Sequence, residues 1–250
     1  MTADKVAVFI ANYNMGERAD ALYEYIDRHS VWPVDIYLVD NASDLVEPAV
    51  NTNVWIKPNN KQTTAAWLEG LKQAKKKQDH FAYCFMITSA DFPDAAGDPI
   101  TPLVELLQQN KNAVGVHPAL TADSTTSWTH LVTRGGDDPR RTWMIDNICS
   151  MYRTDWFDSI GWFDPELRYA WGIDLETCWL ARSQGRELYV HEGTRVRKIT
   201  NIAYRMERMR MSADDRSRLA GQNMEIILER KYGPGWWKRM TEEFVEDEWR

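Results

Sequence analysis

The sequence predicts an α/β fold in which a mainly parallel sheet is flanked by helices. Short apolar segments alternate with segments of helical periodicity through the first part of the 250-residue chain. The predicted strands are residues 5–11, 34–39, 53–56 and 81–88, and the predicted helices are residues 15–28 and 62–77. Strands joined through helices form right-handed crossovers, which place the strands parallel to one another.

The most apolar of these strands is followed by two acids. The run from Phe81 to Ile87 in FAYCFMITSADFPD ends in small polar residues, with Asp91 and Asp94 after them. This pattern predicts a buried central strand with Asp91 beyond its carboxyl end. Because ligands of open α/β sheets bind at that edge, we expect Asp91 to lie in a functional site.

The second half of the chain is less regular. The predicted elements are a helix at 103–109, strands at 113–117, 143–152, 188–190 and 195–199, a helix from Asp174 to about residue 185, and helices at 203–230 and 236–248. Residues 119–142 are rich in Thr, Ser, Asp, Gly and Arg and are predicted to form a long surface loop. We expect a main unit of residues 1–200, with halves at 1–118 and 119–200, and a helical C-terminal extension at 201–250.

Composition limits the function classes. The net charge of −7 opposes nonspecific binding to nucleic acid or anionic membrane. The cysteines Cys84, Cys149 and Cys178 lie far apart in apolar surroundings, which favours buried thiols in a reducing compartment. Neither a secretory signal nor an apolar segment long enough to span a bilayer is visible. We therefore expect a cytoplasmic protein without integral membrane contact.

Five segments carry a family resemblance. They are VAVFIANYN, IYLVDNASD, NNKQTTAAWLEGLKQA, the apolar strand ending in SAD, and GWFDPELRYAWGIDLETCWLARSQG, spread over residues 5–200. Their order resembles the family 2 glycosyltransferases of the GT-A fold. The resemblance implies a Rossmann-like GT-A sheet and an enzyme that transfers a sugar, most simply from a UDP-sugar, to a hydroxyl acceptor with inversion.

The resemblance implies that polar strand ends hold the nucleotide sugar. The residues concerned are Asn12, Tyr13, Asn14, Asp40, Asn41 and Asn60. The first three would border the base, and Asp40 would accept hydrogen bonds from the base or from sugar hydroxyls. The residues alone leave alternatives open, since Asp40 can instead close an Asx turn and Asn60 can cap the following helix.

The resemblance also implies a divalent metal, Mn²⁺ or Mg²⁺, on the donor diphosphate. Asp91 falls at the last position of the family's DxD motif, with Ser89 in place of the first acid, and Asp94 either assists or belongs to a turn. The family's metal-binding histidine falls near Arg197 or Lys198. Either the alignment shifts and His191 is the second metal ligand, or a cation at 197 or 198 contacts the diphosphate in place of metal charge.

Asp174 matches the general base of the family's inverting members. It precedes a predicted helix, although Ile173 stands where the family usually has another acid. A carboxylate in a dry pocket can take the proton of an acceptor hydroxyl, but an Asp at a helix N-terminus can also simply cap the helix. Glu176 is the reserve carboxylate for the same catalytic role.

Two groups of residues bear on the acceptor, which could be a glycan, a protein or a modified nucleic acid. The tryptophans Trp128, Trp143, Trp162 and Trp171 could stack on a sugar or base, or could pack in the core. A basic strip could contact the diphosphate or a polyanion, or could be a solvated face. The strip consists of Arg195, Arg197, Lys198, Arg205, Arg208, Arg210, Arg216 and Arg218.

Two other functions compete with sugar transfer. A sugar nucleotidyltransferase would also use acids and a metal, but the Gly-rich cationic loop such enzymes wrap around a triphosphate is missing after the first strand. A carbohydrate-binding or nucleic-acid-binding module that keeps the fold without catalysis is compatible with the missing first acid of the DxD motif.

Overall fold

In the part of the chain that the structure describes, nine strands form a central sheet. The structure is a computed structural model that describes residues 5–93, 97–199 and 211–249. The strands are β1 Val6–Asn12, β2 Val34–Asn41, β3 Val54–Ile56, β4 Ala82–Ile87, β5 Ala90–Asp91, β6 Ala113–Leu120, β7 Arg140–Thr142, β8 Cys149–Arg153 and β9 Glu187–Lys198. The helices are α1 Gly16–His29, α2 Gln62–Lys77, α3 Thr101–Gln109, α4 Thr154–Ser159, α5 Ile173–Ser183, α6 Ala213–Tyr232 and α7 Trp236–Glu242.

The strand order is β3-β2-β1-β4-β8-β6-β9-β5, and β7 pairs with β9. The pairs formed among strands β1 to β4 are parallel, as the alternation with helices predicts. Strand β8 runs antiparallel to both β4 and β6. The start of β8 therefore lies at the same edge of the sheet as the carboxyl ends of β1, β2 and β4.

Strand β4 separates two apolar layers. Tyr83 and Phe85 face α2, α4 and α5, whereas Cys84 and Met86 face α1 and α3, and all four are fully buried. The predicted buried central strand is thus confirmed. All three cysteines are buried and free. Among the described helices, none combines the length and apolarity that a membrane span requires.

Three details of the second half differ from the sequence-based prediction. The predicted loop at 119–142 contains β7, a 3₁₀ turn at Thr129–Leu131 and the end of β6. The strand predicted at 143–152 begins only at Cys149, and the two strands predicted at 188–190 and 195–199 form the single strand β9. The pairing of β9 with β6 shifts register between Pro118 and Ala119. Buried and more exposed residues still alternate along β9, but Glu192 and Thr194 occupy buried positions, so the apolar pattern in the sequence is interrupted there.

The C-terminal helices pack on α5. Ile227 and Leu228 of α6 and Trp236 and Met240 of α7 join the apolar layer that contains α5. Gly172, the residue before α5, has a φ of 86°, and a Cβ there would lie 2.8 Å from Met224 of α6. The close approach of α6 and the left-handed backbone both require glycine at this position.

Candidate active site

A small cleft with a cavity volume of about 70 Å³ opens at the carboxyl ends of β1, β2 and β4. Four residues predicted to contact a donor lie in its wall, which is completed by Ala11, Met15, Gln62, Thr63, Ile87, Thr88 and Arg216. These four are Asn12, Tyr13, Asn41 and Asn60. The parallel arrangement of the first strands explains why side chains from distant parts of the sequence meet here.

Asn41 organises one wall of the cleft. Its amide donates to Oδ1 of Asn60 over 3.1 Å and to the carbonyl of Gln62 over 3.0 Å. Its Oδ1 accepts from the backbone N–H of Lys61 over 2.9 Å. These hydrogen bonds join the end of β2 to the start of α2, so the amides of Asn41 and Asn60 are held in place before any ligand binds.

Asp40 and Asn14 lie beneath the cleft surface. Buried Asp40 accepts from Nδ2 of Asn12 over 3.1 Å and from the backbone N–H of Ser43 over 2.8 Å, which closes the Asx turn considered above. Asn14 is fully buried with a φ of 55°, and its Oδ1 accepts from the backbone N–H of Leu45 over 3.0 Å. Both side chains hold the loops that carry Asn12 and Tyr13.

Asp91 forms ion pairs with two arginines. Its Oδ1 lies 3.4 Å from Nη2 of Arg18, and its Oδ2 accepts from Nε of Arg197 over 3.0 Å and from Nη2 of the same guanidinium. Strand β5 pairs with β9 so that Asp91 lies opposite Arg197. Nearby Ser89 is buried, and its carbonyl accepts from the backbone N–H of Ile199 over 3.0 Å.

The predicted metal ligands are not brought together. His191 precedes Arg197 by six residues on β9, and its Nδ1 accepts from the backbone N–H of Thr194 over 3.1 Å. Asp94 lies outside the described residues. In the part of the chain that the structure describes, no group of three or more His, Cys, Asp or Glu side chains is suited to hold a metal ion. A carboxylate already paired with two guanidinium groups does not fit a divalent cation, which requires several oxygen ligands.

Asp174 lies at the start of α5. The helix begins after Gly172, and Oδ1 of Asp174 accepts from the backbone N–H of Leu175 over 2.9 Å. Burial, together with the negative charge of Asp146, raises the pKa of Asp174 to about 7. A carboxylate with such a pKa is a competent proton acceptor near neutral pH.

Asp146 is a site residue that the sequence analysis missed. Its Oδ2 accepts from Nζ of Lys198 over 2.8 Å, and the charge of Lys198 lowers the pKa of Asp174 and so opposes the effect of Asp146. Asp146 precedes β8, and the backbone N–H of Ile87 donates to the carbonyl of Ile148 over 3.4 Å, which brings this segment to the carboxyl end of β4. In the sequence, Asp146 is visible only as an acid that precedes a strand. The pattern of apolar residues does not reveal that this strand is antiparallel, so it does not place Asp146 at the functional edge of the sheet.

Glu176 faces the C-terminal helix α6. Its buried carboxylate accepts from the hydroxyl of Tyr232 over 2.5 Å and from Nζ of Lys231. Lys231 also donates to Asp164 over 2.8 Å. This network connects the loop before α5, helix α5 itself and α6.

The described members of the basic strip have different surroundings. Arg216 of α6 is buried against the cleft, with its guanidinium 5.6 Å from the ring centre of Tyr169. Arg195 donates to backbone carbonyls of Glu192 and Gly136. Exposed Arg218 pairs with Asp215 on the same helix. Arg205, Arg208 and Arg210 lie outside the described residues.

The four candidate tryptophans differ in how far they are exposed to solvent. Trp143 is buried and its ring centre lies 5.8 Å from that of Trp128. Trp162 donates from Nε1 to Asp158 over 2.7 Å. Trp171 is 39% exposed and lies three residues before Asp174. Trp171 is therefore the most exposed of the four, and it is close to Asp174 in the sequence.

Comparison with known proteins identifies the fold. No protein-family model and no curated protein matches the sequence. Among solved structures, GalNAc-T7 with UDP, GalNAc and Mn²⁺ is similar to 80% of this chain, with a TM-score of 0.59 and 14% identity. The mannosyltransferase PcManGT from Pyrobaculum calidifontis, in complex with GDP-Man and Mn²⁺, is similar to 96% of it, with a TM-score of 0.58 and 11% identity.

The similarity establishes the GT-A fold of the chain. The match spans 44% of the GalNAc-T7 chain and 74% of the mannosyltransferase chain. The predicted fold class, an α/β GT-A sheet flanked by helices with helices at the C-terminus, is confirmed. At these identities the comparison defines architecture, so activity has to be argued from the residues of the site.

Proposed function

We propose that the protein is a glycosyltransferase of the family 2 type, which transfers a hexose from a nucleotide sugar to a hydroxyl acceptor with inversion. The observation that carries this proposal is Asp174, a carboxylate whose pKa is raised to about 7 by burial and by Asp146, which lies on the segment that reaches the carboxyl end of β4. The shared fold with structures that contain UDP or GDP-Man supports the proposal.

The cleft is suited to a nucleoside. Asn60 presents its Nδ2 donors to the edge of a base and Tyr13 presents an aromatic ring and a hydroxyl. The amides of Asn12 and Asn41 shape the wall through their hydrogen bonds to Asp40, Asn60 and Gln62. The hydrogen bonds of Asn41 hold two of these amides in place, which reduces the entropy lost on binding. We assign this cleft to the donor nucleotide and propose UDP-sugars as the first donors to test.

Asp174 acts as the general base in this proposal. The acceptor hydroxyl transfers its proton to the carboxylate as its oxygen attacks the anomeric carbon. The bond from that carbon to the diphosphate oxygen breaks, and the nucleoside diphosphate leaves with the electron pair. Direct displacement requires the attacking and leaving oxygens on opposite faces of the sugar, so the product anomer is inverted.

The acceptor approaches past Trp171 in this proposal. The exposed indole belongs to the residue three positions before the base, and the apolar face of a sugar ring stacks well on such a surface. This arrangement favours a glycan among the acceptor classes. Glu176, whose carboxylate is bonded to Lys231 and Tyr232, is assigned a structural role in this scheme.

A panel of nucleotide sugars tests the proposal in two steps. Thermal-shift measurements identify the donor by the nucleotide sugar that stabilises the protein. Incubation of that donor with glycan acceptors is then expected to release nucleoside diphosphate and form a glycosidic bond. Release of pyrophosphate would indicate a nucleotidyltransferase, and stabilisation without any turnover would indicate a binding module.

A further inference from the structure

We infer that arginine side chains, and not a divalent metal, neutralise the donor diphosphate beside Asp91. This inference rests on the proposed function, because it concerns the charge of the same donor. GalNAc-T7 and the mannosyltransferase were both solved with Mn²⁺, so this chain would depart from the two proteins that share its fold.

The first observation is the surroundings of Asp91. Both carboxylate oxygens contact guanidinium groups, Oδ1 that of Arg18 and Oδ2 that of Arg197. One negative and two positive charges give this triad a net charge of +1. Asp123 lies 3.6 Å from Arg197, but its side chain is 65% exposed and is therefore well screened by water. A divalent cation placed on Asp91 would meet two positive groups at close range.

The second observation is the set of oxygen and nitrogen ligands. Ser89 replaces the first acid of the DxD pattern, and His191 forms a local hydrogen bond with Thr194 elsewhere on β9. Across the described ranges, no cluster of three metal-binding side chains exists. Mg²⁺ and Mn²⁺ favour several oxygen ligands, and Asp91 is a single carboxylate already engaged.

The third observation is a further arginine in the cleft itself. Arg216 reaches the cleft wall from helix α6 and is 6% exposed, beside Thr88 at the end of β4. Guanidinium groups present planar pairs of N–H donors that match phosphate oxygens, and they carry their charge at every physiological pH. Arginines from α1, β9 and α6 can therefore supply charge that a metal supplies in other sites.

Asp91 is a positioning residue in this arrangement. Its carboxylate fixes the guanidinium groups of Arg18 and Arg197 against β5 and does not itself contact the donor. The C-terminal helices gain a function as well, because α6 brings Arg216 to a cleft built otherwise from the first half of the chain.

Calorimetric titration with UDP and with GDP tests the inference, in the presence of EDTA and separately with added Mn²⁺. We expect the preferred nucleotide to bind with EDTA, with an affinity that Mn²⁺ does not increase. Binding that requires Mn²⁺ would overturn the inference and leave the proposed function intact. Absence of binding under both conditions would refute the proposed function and the inference with it.

Paired variants identify the groups responsible. Arg197→Gln and Arg216→Gln are each expected to weaken nucleotide binding roughly 10- to 100-fold in EDTA, as expected for loss of a charge-assisted hydrogen bond. Arg195→Gln on β9 and Arg218→Gln on α6 are the matched controls and should bind normally. Arg197→Lys and Arg216→Lys keep the positive charge but lack the planar pair of N–H donors. They provide a second test if the Gln variants do not fold. Unchanged binding in all four variants of Arg197 and Arg216 would overturn the inference.

Discussion

Asp146 raises the pKa of Asp174, although the two acids are 28 positions apart and come from different segments. Asp146 lies just before the antiparallel strand β8, and Asp174 lies in the first turn of α5. Lys198 donates to Asp146 over 2.8 Å and lowers the pKa of Asp174. The proton affinity of the proposed base is thus set by two neighbours of opposite charge.

The first prediction concerns the pH dependence of transfer. Because Asp174 acts as a base only when deprotonated, kcat/KM should rise with pH and level off above its pKa of about 7. Asp146→Asn should move this transition to lower pH, since it removes a negative charge. Lys198→Met should move it to higher pH. Steady-state rates across a pH series measure both shifts, and shifts of the same sign in the two variants would contradict this electrostatic account.

The second prediction concerns stability. Between the usual pKa of 3.8 and the raised pKa of about 7, the folded protein binds more protons at Asp174 than the unfolded chain does. Stability therefore falls as pH rises through this range. Asp174→Asn has no charge to bury, so its free energy of unfolding should equal that of wild type near pH ~4 and exceed it by about 2 kcal/mol near pH ~8. This figure is smaller than the full pKa shift would give, because Asp174 is partly exposed to water.

Chemical denaturation at both pH values measures this difference. Asp79→Asn is the matched control, because Asp79 is 88% exposed at the end of α2 and should respond equally at the two pH values. A gain in stability for Asp174→Asn that is the same at both pH values would show that the ionised carboxylate is not disfavoured in the fold.

The third prediction concerns the acceptor. Trp171→Ala should raise the KM for a glycan acceptor roughly two- to tenfold and leave the KM for the donor unchanged, because aromatic stacking contributes about 0.5–1.5 kcal/mol. Trp237→Ala is the control, since Trp237 is a comparably accessible tryptophan, 49% exposed, on the C-terminal helix α7. Equal effects of the two substitutions on the acceptor KM would contradict the assignment of Trp171 to the acceptor site.

The fourth prediction separates the two acids of α5. Glu176→Gln should lower the free energy of unfolding by about 2 kcal/mol, because a buried acceptor bonded to Lys231 and Tyr232 loses its charge. Lys231→Met should cost a similar amount, and the double variant less than the sum of the two. Loss of transfer in Glu176→Gln without loss of stability would instead give Glu176 a catalytic role.

The parts of the site that lie on parallel strands could be predicted from the sequence. An apolar run that ends in polar residues gives both the position of a strand and its carboxyl end. Asn12 and Asn41 follow such runs, Asn60 was assigned through the resemblance at the start of a helix, and all three line the cleft. The same reasoning placed Asp91 beyond β4, where the structure has it.

Contacts that depend on strand direction could not be predicted. Asp146 precedes an antiparallel strand, and periodicity does not distinguish the two directions. The pairing of Arg18 with Asp91 joins a charged residue in the first turn of α1 to a two-residue strand 73 positions later. Sequence alone favours a solvated position for such an arginine. Arg216 could not be located either, because helix packing brings α6 back to the first half of the chain.

Asp174→Asn tests the central claim most directly when transfer and nucleotide binding are measured on the same preparation. The substitution keeps the shape of the side chain and removes its ability to accept a proton. We predict a loss of transfer of about 100- to 10,000-fold, with nucleotide affinity unchanged and Asp79→Asn fully active. Transfer at the wild-type rate, or a parallel loss of transfer and nucleotide binding, would contradict the assignment of Asp174 as the catalytic base.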